Sequence, residues 1–404
     1  MHILLIHQAF ASLDEAGGTR HYELARLLTS SGHRVTVITG TVNYLSGRAE
    51  NSPSIEQQEG LTICRVPLYT AYHRSFFHRL LSFFSFTWNA FWAGLKVKGV
   101  EVVWGTSPPI FQGLSAWALA RWKRAPFLFE VRDLWPRFAV AMGVIRNPLL
   151  IKASEALECF LYRQADQVVI NSPGFMDHVR SRGAKRVALI PNGADPLFFE
   201  AATPLDDLRR SLGLENKIVV LYAGAHGPAN DLEVVLEAAR LLQGSAVHFL
   251  LVGDGKDKPR LQQLAASWGL ENLTFLPPLP KREMPALLHT VDMGLAILKP
   301  LEEYKTTYPN KVFDYMAAGL PVLLVIDGVI REVVEAAGCG IFVPPGDAQA
   351  LAEAALKLAS DSELRRRMGD HGRAYLEAHF DRRRLGEQFR EIVEELGALK
   401  AVKN

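Results

Sequence analysis

Short, almost uninterrupted apolar segments recur along the chain. Each is followed by a loop rich in glycine, proline or charge, and most then lead into a helical pattern. In the first half, His2–His7, Arg34–Thr39, Glu101–Thr106, Pro126–Val131, Gln167–Asn171 and Arg186–Ile190 read as strands. In the second half, Lys217–Tyr222, Ala246–Val252, Leu273–Leu276, Asp292–Ile297, Val322–Val325 and Gly340–Val343 read the same way. A strand covered on both faces needs apolar side chains at successive positions, and parallel strands joined by helices are covered that way. The alternation therefore confines the chain to the α/β class with parallel sheets. The chain has 404 residues, 49% of them hydrophobic, which is enough for two domains with separate cores. The turn-rich Pro191-Asn192-Gly193-Ala194-Asp195-Pro196 and the polar stretch after it place the boundary. The expected domains are 1–195 and 196–380, with a final charged helical segment, 381–404.

Other properties narrow the class. A net charge of +2 argues against nucleic-acid binding as the main task. Cys64, Cys159 and Cys339 are odd in number and far apart, which fits a reducing compartment and no disulfide framework. The opening strand has no charged segment or small-residue cleavage pattern before it, so no signal peptide is expected. Cysteines and histidines lack zinc spacing and no Asp-x-Asp pattern occurs, so no obligatory metal or other cofactor is expected. The two arginine clusters, Arg365 to Arg367 and Arg382 to Arg384, read as solvated helix faces.

Polar loops at the carboxyl ends of parallel strands are where such sheets bind ligands. After the first strand comes Gly17-Gly18-Thr19, and then a helix from about Arg20 to Ser30. This places backbone N–H groups where they can meet an anion, although the dinucleotide spacing of glycines is missing. A tight turn needing two glycines explains the pair equally well on turn chemistry alone. Arg132 and Asp133 follow the strand Pro126–Val131; an intradomain ion pair or a helix cap by Asp133 is the plainer alternative. In the second half, Gly224, His226 and Gly227 lie between strand and helix, and Gly253 and Leu276 end the next two strands. The stretch from Thr307 to Val325 has the clearest local grammar: Pro309 near a helix start, Val312, Phe313 and Met316 at helical spacing, Gly319 as a left-handed cap, then Pro321 and a buried strand. Lys311 and Asp314 are three apart and project on one helix face, where they suit a diphosphate and a ribose diol.

Asn310-Lys311-Val312-Phe313-Asp314-Tyr315-Met316-Ala317-Ala318-Gly319-Leu320-Pro321 resembles the donor-site helix of the group 1 (family 4) retaining glycosyltransferases. Val131-Arg132-Asp133-Leu134-Trp135-Pro136 resembles a signature of the branch that builds bacterial surface polysaccharides, including the L-fucosamine transferases of lipopolysaccharide assembly. Ile190 to Asp195 is similar to the family's interdomain hinge. The resemblance implies the GT-B fold, two Rossmann-like parallel-sheet domains facing a cleft, with the Gly17–Gly18 loop in that cleft and the last helix returning to the first domain. It implies a UDP-sugar donor, such as one carrying N-acetyl-L-fucosamine, and a lipid-linked or saccharide acceptor. The expected catalytic residues are Arg132, Asp133 and Lys311. The expected donor contacts are Gly17, Gly18, Gly224, His226, Gly227, Gly253, Leu276, Lys305, Asn310 and Asp314. The chain also departs from the family. Thr306 stands where a sugar-contacting glutamate is usual, Asp314 replaces the second glutamate, and Ala225 and Asn230 replace an arginine and a lysine. Lys305 or Lys311 is expected to supply the missing charge.

The Phe76–Trp92 segment is aromatic and, from Leu80 to Leu95, uncharged; His73, Arg74, His78 and Arg79 lie at its start. It is too short for a membrane span. A buried helix and an interfacial helix are the two readings. We expect a mixture, with the Phe76–Phe77 end touching lipid and the protein peripheral on the cytoplasmic face of the membrane. Two rival functions stand beside this one: a UDP-sugar 2-epimerase, which shares the two-domain fold but needs no aromatic–basic segment, and a non-catalytic sugar-nucleotide-binding subunit, which the missing family glutamate, arginine and lysine would suit.

Overall fold

The computed structural model describes residues 1–42, 53–70, 76–200 and 206–403. The chain forms two compact units. The first comprises Met1–Ser12, Gly18–Pro191 and Arg383–Asn404, and the second comprises Leu13–Gly17 and Asn192–Arg382.

The first unit holds β1 (His2–Ile6), β2 (Arg34–Gly40), β3 (Ile55–Gln58), β4 (Leu61–Val66), β5 (Val102–Ser107), β6 (Phe127–Val131), β7 (Gln167–Ile170) and β8 (Val187–Leu189). They form one sheet in the order β3-β4-β2-β1-β5-β6-β7-β8, parallel except for β3, which is antiparallel to β4. The sequence reading assigns no strands to β3 and β4. β3 is a polar edge (Ile-Glu-Gln-Gln), and β4 alternates Leu61 and Ile63 with Thr62 and Cys64, so neither carries a long apolar run. Along β1, Ile3 and Leu5 face one core with Leu24, Leu28 and Trp104, while Leu4 and Ile6 face another with Phe86, Leu119, Phe127 and Phe129. This two-sided burial is the physical reason for the continuous apolar strand. The last helix, Arg382–Lys403, adds Leu385, Phe389, Val393 and Leu396 to the Ile3 face, at spacings of one helical turn.

The second unit holds β9 (Ile218–Ala223), β10 (Val247–Val252), β11 (Leu273–Leu276), β12 (Met293–Ile297), β13 (Val322–Val325) and β14 (Gly340–Phe342). Their order is β11-β10-β9-β12-β13-β14, all parallel. Strand order reverses beside β1 in the first sheet and beside β9 in the second. Crevices at such switch points are where open α/β sheets bind ligands. The helix Asn310–Ala317 forms as its sequence suggests. Pro309 is its N-cap, Gly319 adopts φ +69°, and Val312, Phe313 and Met316 are buried. Tyr315, on the same helix, lies over Gly294 of β12, and its hydroxyl reaches the Leu221 and Leu295 carbonyls.

Two expectations need correction. Arg382 is buried and donates to the Gly193 carbonyl, and Arg365 donates to the Leu358 and Ala359 carbonyls, so neither arginine cluster is wholly a solvated face. In the helix Phe76–Lys96, Phe86 and Ala90 are buried, but the exposed apolar residues are not confined to one end. Phe77 (65% exposed), Leu81, Phe84, Trp88 (64%) and Trp92 recur every three or four residues along one face. The Phe76 side chain, His73 and Arg74 lie outside the described residues. Among the described residues, no helix is long and apolar enough to cross a membrane.

Gly294 has no room for a side chain, because an added methyl group would meet the Tyr315 ring. Gly294→Ala is therefore expected to destabilise the second unit by about 1–3 kcal/mol, the usual cost of overpacking, read as a lower denaturant midpoint.

Candidate active site

In the second unit the carboxyl ends of β9 and β10 are knitted together by glycines. Gly224 and Gly253 take φ of +151° and +150°. Gly253 packs on the Gly224 carbonyl, and Gly255 on the backbone of His226, so any side chain at either position would collide with main chain. The His226 N–H donates to the Asp254 carbonyl at 2.8 Å, and the Asp257 N–H donates to the His226 carbonyl at 2.9 Å. This closure leaves the imidazole fully buried, and among the described residues both of its ring nitrogens lack a hydrogen-bond partner. Burial, then the charges of Lys258 and Lys311, push His226 down to about 4, so it is neutral near pH 7. Lys258 ties the end of β10 to that of β11, donating to the Gly253 carbonyl at 2.6 Å and the Leu276 carbonyl at 2.8 Å.

The Asn310–Ala317 helix brings Lys311 to the same place. Its Nζ lies 3.8 Å from the centre of the Tyr222 ring and 3.1 Å from the position a Gly224 side chain would take. Among the described residues no carboxylate pairs with it. The residue as a whole is half-buried, but its ammonium is enclosed, and that desolvation lowers Lys311 to about 7. Beside it, Asn310 Oδ1 is buried without a partner among the described residues.

The structure separates several residues that the sequence places together. Lys311 and Asp314 share a helix but serve different neighbours, since Asp314 pairs with Lys281 at 2.6 Å. Lys305 is bound to Glu302 at 2.7 Å and lies 3.8 Å from Asp327, whereas Lys311 stands beside Gly224. Thr306, at the position of the absent family glutamate, donates to the Glu303 carbonyl within its own turn. Gly227 faces only Asn230 Nδ2, at 3.8 Å, and the space beside Gly18 is open. Gly17 lies on the same loop, before the helix Arg20–Ser30.

In the first unit, Asp133 follows β6. Among the described residues its carboxylate has no hydrogen-bond or ion-pair partner; burial raises it to about 6, against the opposing charge of Arg132. Arg132 points into a network that the sequence reading did not find. Glu130, fully buried in β6, accepts from Arg20 Nε at 2.7 Å and Trp104 Nε1 at 3.0 Å, and meets His21 Nε2 at 3.0 Å. Arg132 Nη1 reaches His7 Nε2 at 3.4 Å and His21 Nδ1 at 3.5 Å. The signal was present: Glu130 is a lone charge inside Phe127-Leu128-Phe129-Glu130-Val131, and such a charge demands buried partners. Among the described residues no cluster of histidine, cysteine and acidic side chains is arranged to hold a metal ion.

Residues 16–193 match the family described as glycosyl transferase 4-like domain, and residues 206–375 match glycosyl transferases group 1. Over 312 residues the chain is 28% identical to WcaI, named as a colanic acid biosynthesis glycosyl transferase of Escherichia coli (strain K12); the match covers 74% of this chain and 76% of that protein. Sucrose-phosphate synthase from Thermosynechococcus elongatus shares the fold with a TM-score of 0.77 at 21% identity, over 98% of this chain and 99% of that one. HepE of Anabaena, solved in complex with UDP-glucose, gives a TM-score of 0.74 at 18% identity, over 98% and 100%. Each unit of the chain carries one of the two family matches, and both units are Rossmann-like sheets. The protein is accordingly an enzyme that transfers sugars, a member of the group 1, family 4-like glycosyltransferases of GT-B fold.

Proposed function

We propose that the enzyme takes an N-acetylamino sugar, N-acetyl-L-fucosamine or a close relative, from a UDP-linked donor and transfers it with retention. The acceptor is a lipid-linked or growing saccharide in cell-surface polysaccharide synthesis. The observation that carries this reading is the Lys311–His226 cluster. A cation without a carboxylate and a neutral imidazole with two open nitrogens lie at the switch point of the second sheet, where a sugar diphosphate needs them. Support for the donor and the pathway comes from the UDP-glucose complex of HepE and the colanic acid naming of WcaI. In this reading the bond from sugar C1 to the diphosphate oxygen breaks, and Lys311 meets the charge on the leaving group. The acceptor oxygen bonds to C1 on the same face, and its proton passes to the Asp133 carboxylate. Gly17, Gly18, Gly224, Gly227, Gly253, Leu276 and Asn310 are donor contacts in the same proposal. Asp314 would reach a ribose only by sharing its carboxylate with Lys281. The domain division proposed is that acceptor recognition belongs to the first unit and donor recognition to the second. The aromatic face of the Phe76–Lys96 helix rests on the cytoplasmic side of a membrane, where lipid-linked acceptors are held.

The direct test is a donor screen with the full chain and a membrane lipid extract, following both UDP release and transfer of label to lipid. Transfer from one UDP-amino sugar that requires lipid is the expected result. Equal UDP release without lipid would favour the 2-epimerase. Donor binding without turnover would favour a non-catalytic subunit, the reading to which Thr306 in place of the glutamate lends weight.

Three further outcomes follow from the geometry. A bound diphosphate favours the charged form of Lys311, so UDP binding at about pH 8 should take up close to one proton, and affinity should fall as pH rises above about 7. Calorimetry in buffers of different ionisation enthalpy reads this uptake, which Lys311→Met should abolish. Transfer should fall as pH drops through about 6, where the Asp133 carboxylate protonates, and Asp133→Asn should remove that limb along with most of the turnover. Sedimentation with anionic vesicles should carry down the wild-type protein. The double variant Trp88→Ser, Trp92→Ser should bind at least about tenfold more weakly, with UDP affinity unchanged.

A further inference from the structure

Arg132 is held in an uncommon way. Its Nη1 carries two hydrogens, and two imidazole nitrogens lie within reach of that one atom: His7 Nε2 at 3.4 Å and His21 Nδ1 at 3.5 Å. The two rings are 3.9 Å apart, centre to centre. The rest of the network favours one placement of their hydrogens. His21 Nε2 faces the Glu130 carboxylate and therefore donates to it, leaving Nδ1 free to accept. His7 Nδ1 faces Thr106 Oγ1 at 2.8 Å; that hydroxyl receives Gln112 Nε2 at 2.9 Å and has the Ile6 carbonyl at 3.4 Å for its own hydrogen. With His7 donating from Nδ1, its Nε2 is also an acceptor. Both hydrogens of Nη1 are thus satisfied by neutral groups. Among the described residues no carboxylate pairs with Arg132 within 4.0 Å, while the Glu130 charge is already met by Arg20.

We propose that His7 and His21 are positioning residues that fix Arg132 as an uncompensated cation for a phosphate group of a substrate, at the switch point of the first sheet. A carboxylate in their place would hold the guanidinium equally well but would cancel its charge. Two neutral acceptors restrain one amino group and leave Nη2 and Nε, outside any ion pair, for the ligand. The phosphate belongs either to the acceptor or to the donor diphosphate. Glu130 acts one step further back, by choosing the tautomer of His21. Burial supports the assignment. It lowers His21 to about 4 against the pull of Glu130, and it also holds His7 well below the usual imidazole range, with the charges of His21 and Arg132 acting in the same direction.

The proposal rests on the transferase reading, but its test needs no turnover, so the two fail separately. In the wild-type protein, nitrogen-15 NMR of the histidine rings at pH 7 should find His21 neutral with its hydrogen on Nε2 and His7 neutral with its hydrogen on Nδ1. A charged ring or a reversed tautomer at either residue overturns the proposal. Calorimetry then uses two probes, UDP titrated into the free chain and phenyl phosphate titrated into the UDP-saturated chain. Arg132→Gln and His21→Phe should weaken one of them by at least about tenfold. His21→Asn and His7→Gln, which return an acceptor near Nδ1 and Nε2 respectively, should stay within about threefold of wild type. Loss of phenyl phosphate binding assigns the site to the acceptor, and loss of UDP affinity assigns it to the donor. Wild-type affinity for both probes in Arg132→Gln overturns the proposal.

Discussion

One carboxylate organises the first unit. Glu130 lies in β6, whose other side chains are all apolar, and it is fully buried. An ionised group in that position costs several kcal/mol unless it is paired and hydrogen-bonded on all sides. Burial by itself pushes the Glu130 carboxyl up, but the Arg20 charge and the hydrogen bonds from His21 and Arg20 outweigh it and hold the group well below the usual carboxylate range. Arg20 must therefore stand at the first position of its helix. Its two remaining amino groups then reach the carbonyls of Ile190 and Pro191, where the first unit ends. A single buried charge thus fixes a helix start, a strand end and the exit of the chain, and one of the residues that satisfy it, His21, is also within reach of Arg132.

The second unit reaches a comparable result without a buried carboxylate. There the restraint is backbone against backbone. Gly253 and Gly255 let the β10 loop lie directly on the β9 loop, and His226 is enclosed as a consequence. The two loops are tied by the main-chain bonds between residues 226, 254 and 257, and Lys258 ties the end of β10 to that of β11. An imidazole caught in this way cannot rotate to water, so its unused nitrogens are a permanent feature of the site.

Local chemistry explains what could be read from the sequence. The central strands were visible because both faces of each sheet are covered, which favours apolar residues at successive positions. The polar hairpin edge β3 and the alternating β4 escaped because only half of that demand applies to them. The helix at Asn310 was legible down to its glycine cap. What its one-dimensional spacing did not reveal was that Lys311 and Asp314, on the same face, would be drawn apart by Tyr222 on one side and Lys281 on the other. The imidazole pair was harder still, since His7 and His21 are separated by a loop and meet only because β1 and the following helix pack side by side. The lone acid in Phe127–Val131 was the one trace of it, and it announced a buried partner without saying which.

The two sheets share a principle in the way they present positive charge. Lys311 is held over an aromatic ring and Arg132 by two neutral imidazoles, so each cation is oriented by a group that does not neutralise it. Surface cations of this chain such as Arg366 and Arg260 show the alternative, each engaged with two carboxylates. A cation paired in that manner must give up a partner before it can bind phosphate, and the cost is subtracted from affinity. Ring faces and ring nitrogens avoid that exchange. Preorganised charge of this kind is what a leaving diphosphate or an anionic acceptor requires, and it offers a physical route by which this chain functions without the arginine and lysine that Ala225 and Asn230 replace.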